Sequence, residues 1–243
     1  MKIIWAIANK EFNGYFKNYT AYIVLSVYLL LSMGATFYSA YFFDYNNCSL
    51  ISFFIYQPEI LNILVPALTM KMWADERRHG TLEFLLTQPV KHTSMVLGKF
   101  LASVEFGIIL LLTTVPFILY SSFLVKLDVL NLISSFLALI FTMISLCALG
   151  CLISSLNNNT IIAYLSSLFC GWLWQNINFD FVLYPLQNIF PLIQHRLYGF
   201  LNFHYHYQAQ LQGQLGADNL IYFLVTIFFA LWLNTIIINH RKL

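Results

Sequence analysis

Across 243 residues the chain is 60% hydrophobic and 9% charged, with a mean hydropathy of +0.72, which leaves too little polar surface to coat a soluble domain of that size. At ~20 apolar residues per helical crossing there is length for about six spans and none for a soluble nucleotide-binding domain. The net charge of +2 comes from basic residues placed where membrane topology alone would put them, so it points to no nucleic-acid partner.

Residues 1–19 interleave Trp5, Phe12, Tyr15 and Phe16, at near-helical spacing, with Lys2, Lys10, Glu11 and Lys17. That pattern predicts a helix lying in the headgroup plane, aromatics sunk and lysines out. The first uncharged run, 20–43, predicts a span. It starts too late, and lacks a small-residue cleavage site, to be read as a signal peptide. Asp44-Tyr45-Asn46-Asn47 is too short for a folded outer domain. A second span follows over 50–71 with Pro58, Glu59 and Pro66 inside it. Glu59 near the outer interface is either a solvated helix end or a polar contact of the translocation path.

The next stretch, Met72 to Pro89, carries five of the chain's 22 charged side chains between two long apolar runs, and such an island must lie in water. Leu82, Leu85 and Leu86 share one face at i, i+3 and i+4, and Pro89 ends the pattern, so a coupling helix is expected over 74–90. Gly80-Thr81 supplies a joint and an N-cap for a new helix direction. Asp75-Glu76-Arg77 and the run Gly80-Thr81-Leu82-Glu83-Phe84-Leu85-Leu86-Thr87-Gln88-Pro89 resemble, nearly position for position, the cytoplasmic coupling segment of the ABC-2 family of transporter permeases. That pattern is an acidic pair, a basic residue, Gly-Thr, a hydrophobic residue, Glu, two leucines, Thr and Pro. The resemblance implies that Asp75, Glu76, Arg77, Arg78, Gly80, Thr81, Glu83, Leu86 and Pro89 couple the chain to an ATPase. It also implies that the N-terminal helix is an elbow that touches the same partner. The aromatic pair, Pro58 and Pro66-Ala67 of the second span are similar to the gliding-motility-associated permease subgroup, with Glu59 where an aromatic is usual there.

Beyond the island, 97–125 predicts a third span containing Glu105, one to two turns past Lys99. A salt bridge to a basic neighbour, snorkelling, or a place in the translocation path would each account for that acid. The fourth span, 129–156, is rich in Ser, Thr, Cys, Ala and Gly, which lets helices approach closely in lipid. Asn157-Asn158-Asn159 turns the chain into a fifth span, 160–177. Residues 178–217 contain Pro185, Pro191 and several glycines between apolar pieces too short to cross, so they are re-entrant or interfacial. The resemblance implies external half-helices there, with His195, Gly213 and Tyr222-Phe223 fitting the gliding subgroup. The final span is 219–238. Cys48, Cys147, Cys151 and Cys170 mostly sit in apolar runs and read as small packing residues.

With six spans, ten of the twelve basic residues fall on the side of both termini, which places that side and the island in the cytoplasm. His204 and His206, with His195 as a third ligand, would suit a metal or haem only if the stretch were a strand, and its Tyr and Phe content fits an interfacial belt better. The chain holds no Walker motif and no HExxH.

The expected fold is therefore all-α integral membrane: six transmembrane helices, an N-terminal interfacial helix, a coupling helix and external half-helices. The resemblance implies a membrane-spanning permease subunit of an ATP-driven exporter in the inner membrane. It would work with a second permease subunit, identical or paralogous, and a dimer of ABC ATPase subunits that binds the ATP, so the chain itself needs no cofactor and is no enzyme. A nearly uncharged, aromatic outer face leans towards a lipid-like cargo. The alternatives are a haem-exporter-type permease of cytochrome c maturation and an ATP-independent secondary transporter, although the two halves of the chain show no inverted repeat.

Overall fold

In hydrocarbon no water is at hand to satisfy a backbone amide, so a spanning segment must bond within itself, and every described regular element here is an α-helix. The computed structural model describes residues 2–17, 19–38, 51–87, 89–122, 129–176 and 201–240. The expectations for Asp44–Asn47, Cys48, Gln88 and most of the half-helix region, with His195, lie outside the described residues. The helices in chain order are α1 (Lys2–Lys17), α2 (Thr20–Tyr38), α3 (Ile51–Thr69), α4 (Lys71–Arg78), α5 (Thr81–Thr87), α6 (His92–Leu112), α7 (Val115–Ser122), α8 (Val129–Leu156), α9 (Thr160–Asn176), α10 (Phe203–Leu211) and α11 (Ala217–His240).

Among the described residues five helical stretches are long and apolar enough to cross a membrane: Thr20–Tyr38, Phe53–Arg78, His92–Ser121, Val129–Leu156 and Ala217–His240. The stretch expected as a fifth span is α9, whose 17 residues fall just short of that length among the described residues. The expected third span, 97–125, is two helices. Its start moves back to His92 because polar His92, Thr93 and Ser94 form the first turn and lie outside an apolar window. Its break at Thr113-Thr114 comes where Pro116 has no N–H to offer Leu112, a residue tolerated in the first turn of α7.

The bundle is organised around α8, which packs on α3, α6, α9, α10 and α11. Small residues make this possible. A Cβ on Gly150 would overlap the Thr69 hydroxyl of α3, and one on Gly98 of α6 would come within 2.8 Å of the Ile7 Cβ of α1, so these helices meet nearly backbone to backbone. Cys147 and Cys151 are buried free thiols in this packing. By contrast α2 buries a single stripe, Ala21, Val24, Tyr28, Ser32 and Thr36, against α3 and leaves Ile23, Leu30 and Phe37 outward.

Two prolines inside α3 each remove one rung of its ladder. Pro58 cannot bond the Phe54 carbonyl, and the Tyr207 hydroxyl of α10 donates to that oxygen instead, at 2.7 Å. Gln175 of α9 donates to the Pro58 carbonyl at 3.0 Å. The Pro58 end of α3 is thereby held by its neighbours where its own ladder is broken, while its other end runs through Met70 into α4.

Candidate functional site

At the end of the bundle where α3 gives way to α4, an uncommon density of buried polar contacts gathers. The first amides of any helix lack intrahelical acceptors, and Met70, which precedes α4, offers no side-chain cap. Ser154 of α8 fills the gap. Its hydroxyl oxygen accepts from the Trp73 and Ala74 amides at 3.1 and 3.3 Å and donates to the Met70 carbonyl at 2.9 Å. Met72, Trp73 and Ala74 are buried, so the cap is sealed from water.

Lys99 of α6 closes the same junction from the other side. Its ammonium reaches Glu76 of α4 at 2.7 Å, Glu11 of α1 at 3.1 Å and the Met72 carbonyl at 2.8 Å, and lies 5.0 Å from the centre of the Trp73 ring. Three N–H donors meet three acceptors, which is the complete capacity of an ammonium. With the Lys99 side chain only 5% exposed, these contacts work in a low dielectric, and removing Lys99 would leave two half-buried carboxylates without their shared cation. Tyr15 of α1 adds a bond to the Leu68 carbonyl at 3.3 Å, and burial holds its phenol well above its ordinary range, so it stays a donor.

Arg77 grips the turn between α8 and α9: its guanidinium donates to the Asn158 side chain at 2.9 Å and to the Ser155 carbonyl. Asn157 and Asn159 order that turn, the first through the Ile153 carbonyl at 2.9 Å and Ser166 at 3.1 Å, the second by accepting the Ile161 amide at 2.9 Å. Four helices, α1, α3, α6 and α8, therefore converge on α4, a segment of eight residues.

The stretch expected as one coupling helix over 74–90 is thus two helices of different character. They part at His79-Gly80, where Gly80 adopts φ +69°, a left-handed conformation costly to any residue with a Cβ. The Thr81 hydroxyl donates back to the Glu76 carbonyl at 3.1 Å, so it closes the end of α4 rather than capping the start of α5. In α5 Leu82 is buried, while Glu83 and Phe84 are exposed, Phe84 by 68%. Of the residues expected to couple, Glu76 and Arg77 are turned into the bundle and Asp75 is half-buried on a cavity wall. Arg78, Gly80, Thr81, Glu83 and Pro89 are exposed, and the Leu86 side chain lies outside the description.

Glu105 lies on the outer face of α6 beside Leu101 and Ile108, and the ion pairs among the described residues belong to Lys99 instead. Among the described residues the expected Glu105 bridge to a basic neighbour does not form, and six helical residues set Glu105 about 120° round α6 from Lys99. Glu59 is exposed at the other end of the bundle and accepts from Asn176 at 3.2 Å. His204 and His206 sit on a helix, not a strand. His206 is buried, 2.8 Å from the Asn219 side chain and stacked on Tyr222, whereas His204 is exposed. They share no face, and no cluster of three metal-binding side chains occurs among the described residues.

Sequence patterns did not mark Lys99, Glu11 or Ser154 as partners. Lys99 did leave a trace, as a lone ammonium inside an apolar run that must find a counter-charge. Phe84 left none.

An all-helical bundle with five stretches able to cross a bilayer and a charged junction at one end defines a multi-pass membrane protein. The sequence profile described as ABC-2 family transporter protein matches residues 56–238, three quarters of the chain, and the chain belongs to that family. It is therefore a membrane permease, of a family that generally works with ATPase activity on a separate subunit. No curated protein matches the chain.

Proposed function

We propose that the chain is the membrane-spanning subunit of an ATP-driven exporter, laid out as six spans with both termini cytoplasmic, pairing with a second permease subunit above a dimer of ATPase subunits. The observation that carries this reading is the split island. A clamped α4 is tied into four other helices, and an adjoining α5 offers Glu83 and Phe84 to the outside across a glycine joint. A motor pressing on α5 would move α4, and α4 cannot move without α3, α6 and α8, a two-state rearrangement biased by a partner that binds the states differently. The long lipid-facing surfaces of α2 and α11 support a hydrophobic or lipid-like cargo. Glu59, and Glu105 on an outward face that a paired subunit would cover, are the candidate path residues. Resemblance to the gliding-motility subgroup accords with the proline-containing α3.

Purification from the native membrane is expected to yield a complex with an ATPase chain and two membrane subunits. Within it, Glu83→Lys and Gly80→Pro abolish cargo-stimulated ATP hydrolysis while the protein stays in the membrane. Transport by a lone chain of 28.2 kDa in ATP-depleted vesicles would sink the ATP-driven reading.

A further inference from the structure

Beside the Lys99 junction lies a cavity of about 260 Å³, bounded by α1, the start of α2, the end of α3 and α4. Thr20, the first residue of α2, and Ala67 and Leu68, near the last turn of α3, form part of its wall. Two apolar helices therefore terminate at the cavity, and the amphipathic α1 borders it, which sets the opening at the depth of lipid headgroups. Its charged wall has both signs. Glu11, Asp75 and Glu76 face Lys71 and Lys99, an excess of one negative charge. Lys99 is already saturated, while Glu11 and Glu76 keep 27% and 20% of their side-chain surface. Lys71 and Asp75 make no ion pair among the described residues, although they lie one turn apart on α4.

We propose that this cavity binds the phosphate-and-ammonium zwitterion of an ethanolamine phospholipid from the adjoining leaflet. The acidic wall takes the primary ammonium, whose three N–H donors suit carboxylates. The phosphate lies towards Lys71, the Thr20 hydroxyl and the positive end of α2. The acyl chains leave along the outward apolar face of α2, where Ile23 and Leu30 are 59% and 73% exposed. A quaternary choline offers the carboxylates no hydrogen bond, and a phosphoglycerol headgroup brings an anion without its cation to a net negative wall. The site is independent of what is transported and of whether ATP drives it.

The test is native mass spectrometry of the purified protein equilibrated with mixed vesicles of phosphatidylethanolamine, phosphatidylcholine and phosphatidylglycerol. Wild-type protein is expected to retain phosphatidylethanolamine over the other two, and this arm needs no variant. Lys71→Ala and Asp75→Ala, whose side chains make no ion pair or hydrogen bond among the described residues, are each expected to lower that retention about tenfold, as loss of a charge-assisted contact predicts, while Lys91→Ala changes nothing. Equal retention of phosphatidylglycerol or phosphatidylcholine overturns the proposal, as does retention indifferent to both cavity variants. Displacement by soluble glycerophosphoethanolamine at concentrations equal to the lipid would reassign the site to a solute. Absence of lipid, with the ATPase subunit shielding an Asp75→Cys label, would reassign it to protein contact.

Discussion

The two halves of the charged island are adjacent in sequence and opposite in the way they are held. In α4 the apolar side chains Met72, Trp73 and Ala74 are buried, and its polar groups reach Ser154, Lys99 and the α8–α9 turn. In α5 Leu82 is buried, and Glu83 and Phe84 look outward. Charge density alone does not distinguish them. The difference lies in what stands opposite: α4 meets a lysine, a serine and backbone carbonyls from neighbouring helices, whereas α5 joins the core through Leu82. A segment can thus be rich in charge either because it meets solvent and partners or because it is the polar fastening of an apolar bundle.

That contrast can be broken most severely at Lys99. Lys99→Met leaves the half-buried Glu11 and Glu76 without their shared cation and is expected to destabilise the bundle by about 2–3 kcal/mol, read as loss of monodisperse protein and a lower unfolding temperature in detergent. Neutralising both acids in the same variant, with Glu11→Gln and Glu76→Gln, is expected to restore most of that loss. No recovery would mean that the ammonium packs there without governing the junction electrostatically.

Ser154→Ala takes the acceptor from two buried amides and is expected to cost about 2 kcal/mol. The deficit should concentrate in α4, so hydrogen exchange at Trp73 and Ala74 is the direct measurement. Exchange unchanged from wild type would show that another acceptor takes over the cap.

Gly80→Ala forces a side chain into a left-handed conformation at a cost of about 1 kcal/mol. Because the joint lies between a fixed and an outward helix, cargo-stimulated ATP hydrolysis is expected to fall by more than the small change in stability explains. A proportionate fall in both would reduce the joint to an ordinary turn.

The mildest effect on stability belongs to α5 itself. Glu83→Lys and Phe84→Ala should alter the unfolding temperature by an amount corresponding to less than about 0.5 kcal/mol, yet weaken retention of the ATPase chain on purification. Stability losses here as large as those at Ser154 would erase the distinction between the two helices.

Several features of this protein followed from sequence alone because they depend on composition and period. The apolar runs required helices, since only a helix satisfies its own backbone in lipid, and the clustered charges between them required a place at the bundle's end. Gly80 signalled a joint because only a residue without a Cβ takes that backbone conformation freely. The family's coupling pattern was legible for the same reason, being contiguous. What the sequence could not determine are the contacts between distant segments. Glu11 and Lys99 are 88 residues apart, and Trp73 and Ser154 are 81 apart. Nothing local marks Lys99 as the partner of Glu11 and Glu76 rather than of Glu105, which is much closer along the chain. Helical rotation carried Glu105 to the outer face, and the close packing of α1 at Gly98 brought Glu11 in. The tertiary structure decided the pairing because a buried charge is satisfied by whichever opposite group the packed backbones deliver within hydrogen-bond reach, and sequence distance has no part in that energy.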